Sequence, residues 1–159
     1  MARTAPLALF LAALAIVGAA LLSQYWGGLQ PCELCLYQRW FYYAVLALCL
    51  VLVLIGRRNV SRAGLILAAL ILIAGGVVAF YHAGVEYHFW AGPSHCTAPI
   101  LNATSAEDLR KQLLETPPVR CDEVQWSLAG ISLAGWNVLA SALLAAASLV
   151  ASRRLARRR

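Results

Sequence analysis

The chain has 159 residues, room for one domain, of which 62% are hydrophobic and only 13% charged, with a net charge of +6. That balance excludes an ordinary soluble domain. The basic excess also fails to suggest nucleic acid once its distribution is seen. Nine of the thirteen basic residues are Arg3, Arg57, Arg58, Arg62 and the tail residues Arg153, Arg154, Arg157, Arg158 and Arg159. Those three segments hold no acid, and all seven carboxylates lie in two other connections. Such a pattern is a topology signal facing anionic lipid, and no nucleic-acid partner is expected.

Four apolar stretches predict membrane-spanning helices over about 6–22, 36–55, 63–81 and 128–151. Each is about long enough for ~30 Å of hydrocarbon at ~1.5 Å per residue. The expected fold is an all-α membrane protein: one domain over 1–159, a four-transmembrane-helix bundle with outward loops at 23–35 and 82–127. The positive-inside rule puts both termini and the Gly56–Arg62 turn in the cytoplasm. Arg3, an apolar run and the small residues Gly18 and Ala20 also resemble a cleavable signal segment. Against that reading, the run is longer than a typical signal core, and retaining it gives an even bundle with matched termini.

Pro6 suits the first turn of the opening helix. The first outward connection carries a Gly27-Gly28 turn signal and delivers Pro31-Cys32-Glu33-Leu34-Cys35 directly to the second helix. If the run after Pro31 is helical, Cys32, Cys35 and Arg39 fall within about 60° of one another, while Gln38 and Cys49 point elsewhere. Helix N-terminal amides and a nearby cation lower a thiol's pKa; Glu33 works against this. Ser61 is a candidate N-cap for the third helix. Gly75-Gly76 within it reads as a close-packing point.

The long loop carries Cys96 and Cys121, separated by 24 intervening residues, and the prolines Pro93, Pro99, Pro117 and Pro118. Between the cysteines, Thr104-Ser105-Ala106-Glu107 has capping-box form, with Leu109, Leu113 and Leu114 following on one face. A short amphipathic helix lying on the membrane surface or over the bundle is expected there. Of fifteen aromatic residues only Phe10 lies toward the cytoplasmic side. The rest, Trp40, Tyr81, Trp90 and Trp126 among them, gather at the outer boundary. An interfacial belt explains most of this. Its one-sidedness also suits a flat, conjugated ligand entering from the bilayer.

Five cysteines leave one over. Cys49 lies ~21 Å deeper than Cys35 along a helix and reads as a buried apolar thiol. That leaves Cys32 with Cys35 and Cys96 with Cys121, two pairs on one outer face. Two structural disulfides are the bland alternative, although a bridge closing so short a loop stabilises little. Zinc held by Cys32, Cys35, His95 and Cys96 would need reduced thiolates in an oxidising space, and no metal is expected.

Four helices, Pro-Cys-x-x-Cys-x-Tyr-x-Arg opening the second, a cysteine pair in the long loop and a following Gln125-Trp126 together resemble the disulfide-bond-formation protein B (DsbB) family. The resemblance covers nearly the whole chain. It implies a protein dithiol:quinone oxidoreductase of the bacterial inner membrane, with its catalytic cysteines periplasmic. The implied relay begins where Cys96, paired with Cys121, is attacked by a soluble thioredoxin-like partner of the DsbA type. Cys121 then exchanges with Cys32, and Cys35 faces a bound quinone with Arg39 supporting its charge. Ubiquinone is the expected acceptor, with menaquinone the alternative. A family histidine near the exit of the third helix matches His88 best, with His82 and His95 the other candidates. The competing readings are a disulfide-stapled membrane scaffold and an oxidoreductase of the vitamin K epoxide reductase type. A scaffold needs neither Arg39 nor one-sided aromatics, and the second family usually carries its C-x-x-C on the last helix.

Overall fold

The computed structural model describes residues 2–93, 105–107, 110 and 119–157. Four long helices dominate it: α1 (Thr4–Tyr25), α2 (Glu33–Ile55), α3 (Arg58–Glu86) and α4 (Leu133–Arg157). A two-stranded antiparallel hairpin, β1 (Ser127–Leu128) and β2 (Ile131–Ser132), precedes α4. All four helices are long and apolar enough to cross a membrane. The amphipathic helix expected between Thr104 and Leu114 falls for the most part outside the described residues.

The burial pattern is that of a bundle in lipid. Leu54, Leu70, Val77 and Leu143 face outward, while Gln38, His82, Ser141, Ser148 and Ser152 are buried. Apolar side chains gain little by leaving lipid, so small residues and internal hydrogen bonds set the packing. α3 is the central element, packed against α4 on one side and α2 on the other, and α1 lies mainly along α2. Gly75 and Gly76 make this possible. A Cβ at Gly75 would meet Phe41 of α2 at 3.0 Å, and one at Gly76 would meet Ser141 of α4 at 3.3 Å. Cys49 is fully buried in the same core, among Val45, Leu65 and Leu72.

Three helix limits differ from expectation for physical reasons. α3 starts at Arg58, so Ser61 is a buried residue of its first turns and not a cap. Its other end runs on to Glu86, which makes His82 helical and not part of the loop. α4 begins later than expected because Ala129 (φ 53°) and Gly130 (φ 76°) form a tight two-residue turn between β1 and β2. Ser132 Oγ then accepts the Gly135 N–H at 3.1 Å and caps the helix. At the opposite end Arg58 donates to the Leu155 carbonyl, tying the start of α3 to the last turn of α4.

The chain leaving α3 folds back on it. The Trp90 indole stacks on Tyr81 with 9° between the ring planes and donates to the Tyr81 carbonyl at 2.8 Å. It covers Gly84 so closely that a Cβ there would lie 2.0 Å from a ring carbon. Gly84→Ala will therefore expel Trp90 and lower stability by about 1–3 kcal/mol, the usual cost of overpacking. Thermal unfolding in detergent, followed by tryptophan fluorescence, will show both effects.

Candidate active site

The site is built at the first turn of α2. Cys32 is the N-cap, with extended backbone (φ −74°, ψ 173°), and its sulfur accepts the Cys35 N–H at 3.3 Å. A thiol sulfur thus does what a serine or aspartate oxygen does at most helix starts. The cap folds the Cys32 side chain back over the helix, where Cys35 Sγ stands 3.1 Å away. Cys32, Cys35 and Cys49 carry free thiols.

The third neighbour of the Cys32 sulfur is His82 Nε2, at 3.5 Å. His82 is buried on α3, with its Nδ1 2.8 Å from Gln38 Nε2 and its Nε2 3.9 Å from the Glu86 carboxylate. Gln38 in turn accepts from Asn137 of α4, and Asn137 accepts from the Tyr42 hydroxyl at 2.6 Å. The Cys32 thiol is pulled down to about 5. The main cause is the hydrogen bond from the Cys35 thiol; burial opposes it, and the hydrogen bond of His82 reinforces it. Cys32 is accordingly the member of the pair poised to be a thiolate, the species that attacks disulfides.

Cys121 belongs to the same buried cluster as Cys32. It is disulfide-bonded, fully buried, and packed in one cluster with Cys32, Leu34 and Val85, with Cys35 and Val119 against it. Its backbone carbonyl also interacts with the His82 ring. Three of the four cysteines expected to act are therefore together; Cys96, like His95, lies outside the described residues. The two thiols of the C-x-x-C differ in access: Cys32 is 3% exposed, whereas Cys35 is half-buried at the outer end of α2.

Arg39 and His88 stand elsewhere. The Arg39 guanidinium turns to α1, donating to Gln24 and to the Ala20 carbonyl at 3.3 Å. His88 has left-handed backbone (φ 59°) and lines a cleft of about 430 Å³ with Val85, Trp90, Arg120 and Asp122. In that cleft the Arg120 guanidinium holds the Asp122 carboxyl below its usual range. Among the described residues, the histidine brought to the C-x-x-C is His82. Gln38, expected to point away, is the residue that holds it. The helical-wheel argument misplaced them because Cys32 is not part of the helix, so its sulfur does not follow the wheel.

Cys32, Cys35 and His82 offer ligand atoms within 4.8 Å of one another. They are zinc-type donors, but among the described residues they number three where a structural zinc takes four, and they require both thiols reduced. The arrangement fits thiol–disulfide exchange more fully: a stabilised thiolate, a buried disulfide-bonded cysteine in the same cluster and a second, half-buried thiol.

A family model described as disulfide bond formation protein DsbB matches residues 2–151. A protein named disulfide bond formation protein B 2 from Pseudomonas syringae pv. syringae is 34% identical over 143 residues, covering 82% of this chain and 78% of that one. Disulfide bond formation protein B from Polaromonas sp. is 28% identical over 156 residues, covering 94% and 89%. The protein of the same name from Pseudoalteromonas atlantica is 29% identical over 131 residues, covering 80% and 75%. No solved structure matches.

Proposed function

The chain belongs to the DsbB family of disulfide bond formation proteins, and from that premise we propose that it oxidises a soluble dithiol protein of the DsbA type at the expense of a membrane quinone. The observation that carries the reading is the placement of the Cys32 sulfur, buried against Cys121 and supported by His82, while Cys35 remains half-exposed.

The sequence of exchanges follows from access. The partner's thiolate attacks Cys96 of a Cys96–Cys121 disulfide and leaves as its own disulfide, so that both loop cysteines become thiols. Cys121, buried beside Cys32, then attacks an oxidised Cys32–Cys35 bridge. Cys32 is next displaced as Cys96 and Cys121 pair again, which leaves Cys32 as thiolate and Cys35 as thiol. No electron has to travel farther than one disulfide contact. Quinone supplies the final acceptor for two electrons and two protons. Cys35, with Tyr37 and Trp40 exposed beside it on α2, is the part of the site that a lipid-soluble ring can reach. The charge asymmetry of the sequence supports an orientation with both termini cytoplasmic, and the proposed relay then puts the protein in a bacterial inner membrane with its cysteines periplasmic.

The test uses purified protein, a reduced thioredoxin-fold partner and ubiquinone-1, with the partner's thiols and quinone absorbance followed together. One quinone reduced per partner disulfide formed is the expected result; partner oxidation that proceeds without quinone loss would overturn it. The role of Arg39 is read in the same assay. Its bonds tie α2 to α1 one turn beyond Cys35, so Arg39→Met should raise the apparent KM for quinone about tenfold, with exchange at the partner side unchanged. An unchanged KM would leave Arg39 as an anchor between helices and nothing more.

A further inference from the structure

The hydrogen bonds around His82 have a direction, and it is fixed by chemistry that cannot be inverted one residue at a time. An amide nitrogen only donates and an amide oxygen only accepts. The Tyr42 hydroxyl donates to Asn137 Oδ1 at 2.6 Å, so Asn137 turns its nitrogen to Gln38 Oε1. Gln38 must then present its own nitrogen to His82 Nδ1, 2.8 Å away. That ring atom is left as an acceptor, and the single proton of the neutral imidazole sits on Nε2, 3.5 Å from the Cys32 sulfur. Ser141 Oγ, 3.0 Å from the Tyr42 hydroxyl, can donate into the far end.

We propose that Gln38, Asn137 and Tyr42 form a positioning chain that holds His82 with its proton on Nε2, aimed at the Cys32 sulfur. Every bond from Tyr42 to the sulfur donates in the same sense, so each polarises the next and the summed effect falls on the developing thiolate. The chain joins α2, α3 and α4, and its side chains Gln38, Tyr42, His82 and Ser141 are buried. In so dry a place a wrongly turned amide would set donor against donor, which keeps the direction from drifting. None of the three residues touches sulfur; each acts through His82.

The titratable groups around the Cys32 sulfur are Cys35 on α2 and His82 and Glu86 on α3. The segment before β1 contributes the Cys121 disulfide, and α4 contributes the uncharged Asn137. The inference rests on the proposed redox role of Cys32, so its test is chosen to need neither partner nor quinone. In the fully reduced, full-length protein in detergent, the rate of Cys32 alkylation by iodoacetamide is measured against pH by mass spectrometry. Gln38→Met, which keeps the side chain's length and removes the amide, should raise the midpoint by about one pH unit. It should cause no further rise in a His82→Ala background. Asn137→Ser, a milder change, should shift the midpoint in the same direction by less. An unmoved midpoint in both variants, or a Gln38→Met shift that adds in full to that of His82→Ala, would overturn the chain. Dithiol:quinone turnover of the wild type is recorded beside it. Absent turnover with a shifted midpoint removes the proposed function and leaves the chain standing, whereas normal turnover with an unmoved midpoint does the reverse.

Discussion

With Cys121 replaced by serine, the protein will accumulate a mixed disulfide with a partner that has lost its resolving cysteine; with Cys96 replaced, it will not. The reason is burial. Cys121 is fully enclosed among Cys32, Leu34 and Val85, so a soluble protein cannot bring a thiolate in line with its sulfur. In Cys121→Ser the remaining loop thiol has lost its disulfide partner, and the mixed species should persist. In Cys96→Ser the remaining thiol faces Cys32 and is consumed within the chain. The difference is all-or-none on a non-reducing gel. Equal trapping by the two variants would show that the segment around Cys121 leaves its cluster readily, and trapping through Cys121 alone would reverse the order of the relay.

His82→Ala will produce the second large effect, and its size will depend on pH. The Cys32 thiol is held at about 5, so the wild-type sulfur is ionised above that value and loses its charge as the pH falls through it. Alanine removes the His82 contribution and leaves those of Cys35. The folded midpoint then moves upward, by about two units. Near pH 5 the variant should alkylate about fiftyfold more slowly than wild type, and above about pH 8 the two should converge. Iodoacetamide labelling across pH 4 to 9 makes the comparison. A uniform loss at all pH values would mean that His82 merely supports packing around the sulfur.

The bundle could be read from sequence because each span is a long apolar run, and a single property, transfer to lipid, decides it. The site was legible as far as its cysteines, since sulfur chemistry announces itself by residue type. Its supporting residues were hidden for a specific reason. The buried stripe of α2 runs Leu34, Gln38, Tyr42, Val45, Cys49 and Leu52, at spacings of three and four. Gln38 lies in that stripe, but judging it against the direction of Cys32 placed it on the wrong side. His82 and Glu86 form an i, i+4 pair on α3 that the expected helix end at 81 put into the loop. One further turn of helix in the reading would have set a histidine and an acid at the mouth of the bundle. The β1–β2 turn was missed because Ala129 gives no warning of a left-handed backbone; only Gly130 does.

The chain from Tyr42 to His82 also bears on how the molecule is made. Synthesis delivers α2 and α3 well before α4, and α4 carries the amide that gives Gln38 its orientation. Until that last span is inserted, Gln38 has no fixed sense, His82 has no preferred tautomer and the Cys32 sulfur has lost part of its support. If Gln38 and Asn137 position His82 as proposed, the C-x-x-C of a nascent chain should exchange more slowly than that of the finished one. On the proposed chain, it is the last span that completes the support of the Cys32 sulfur.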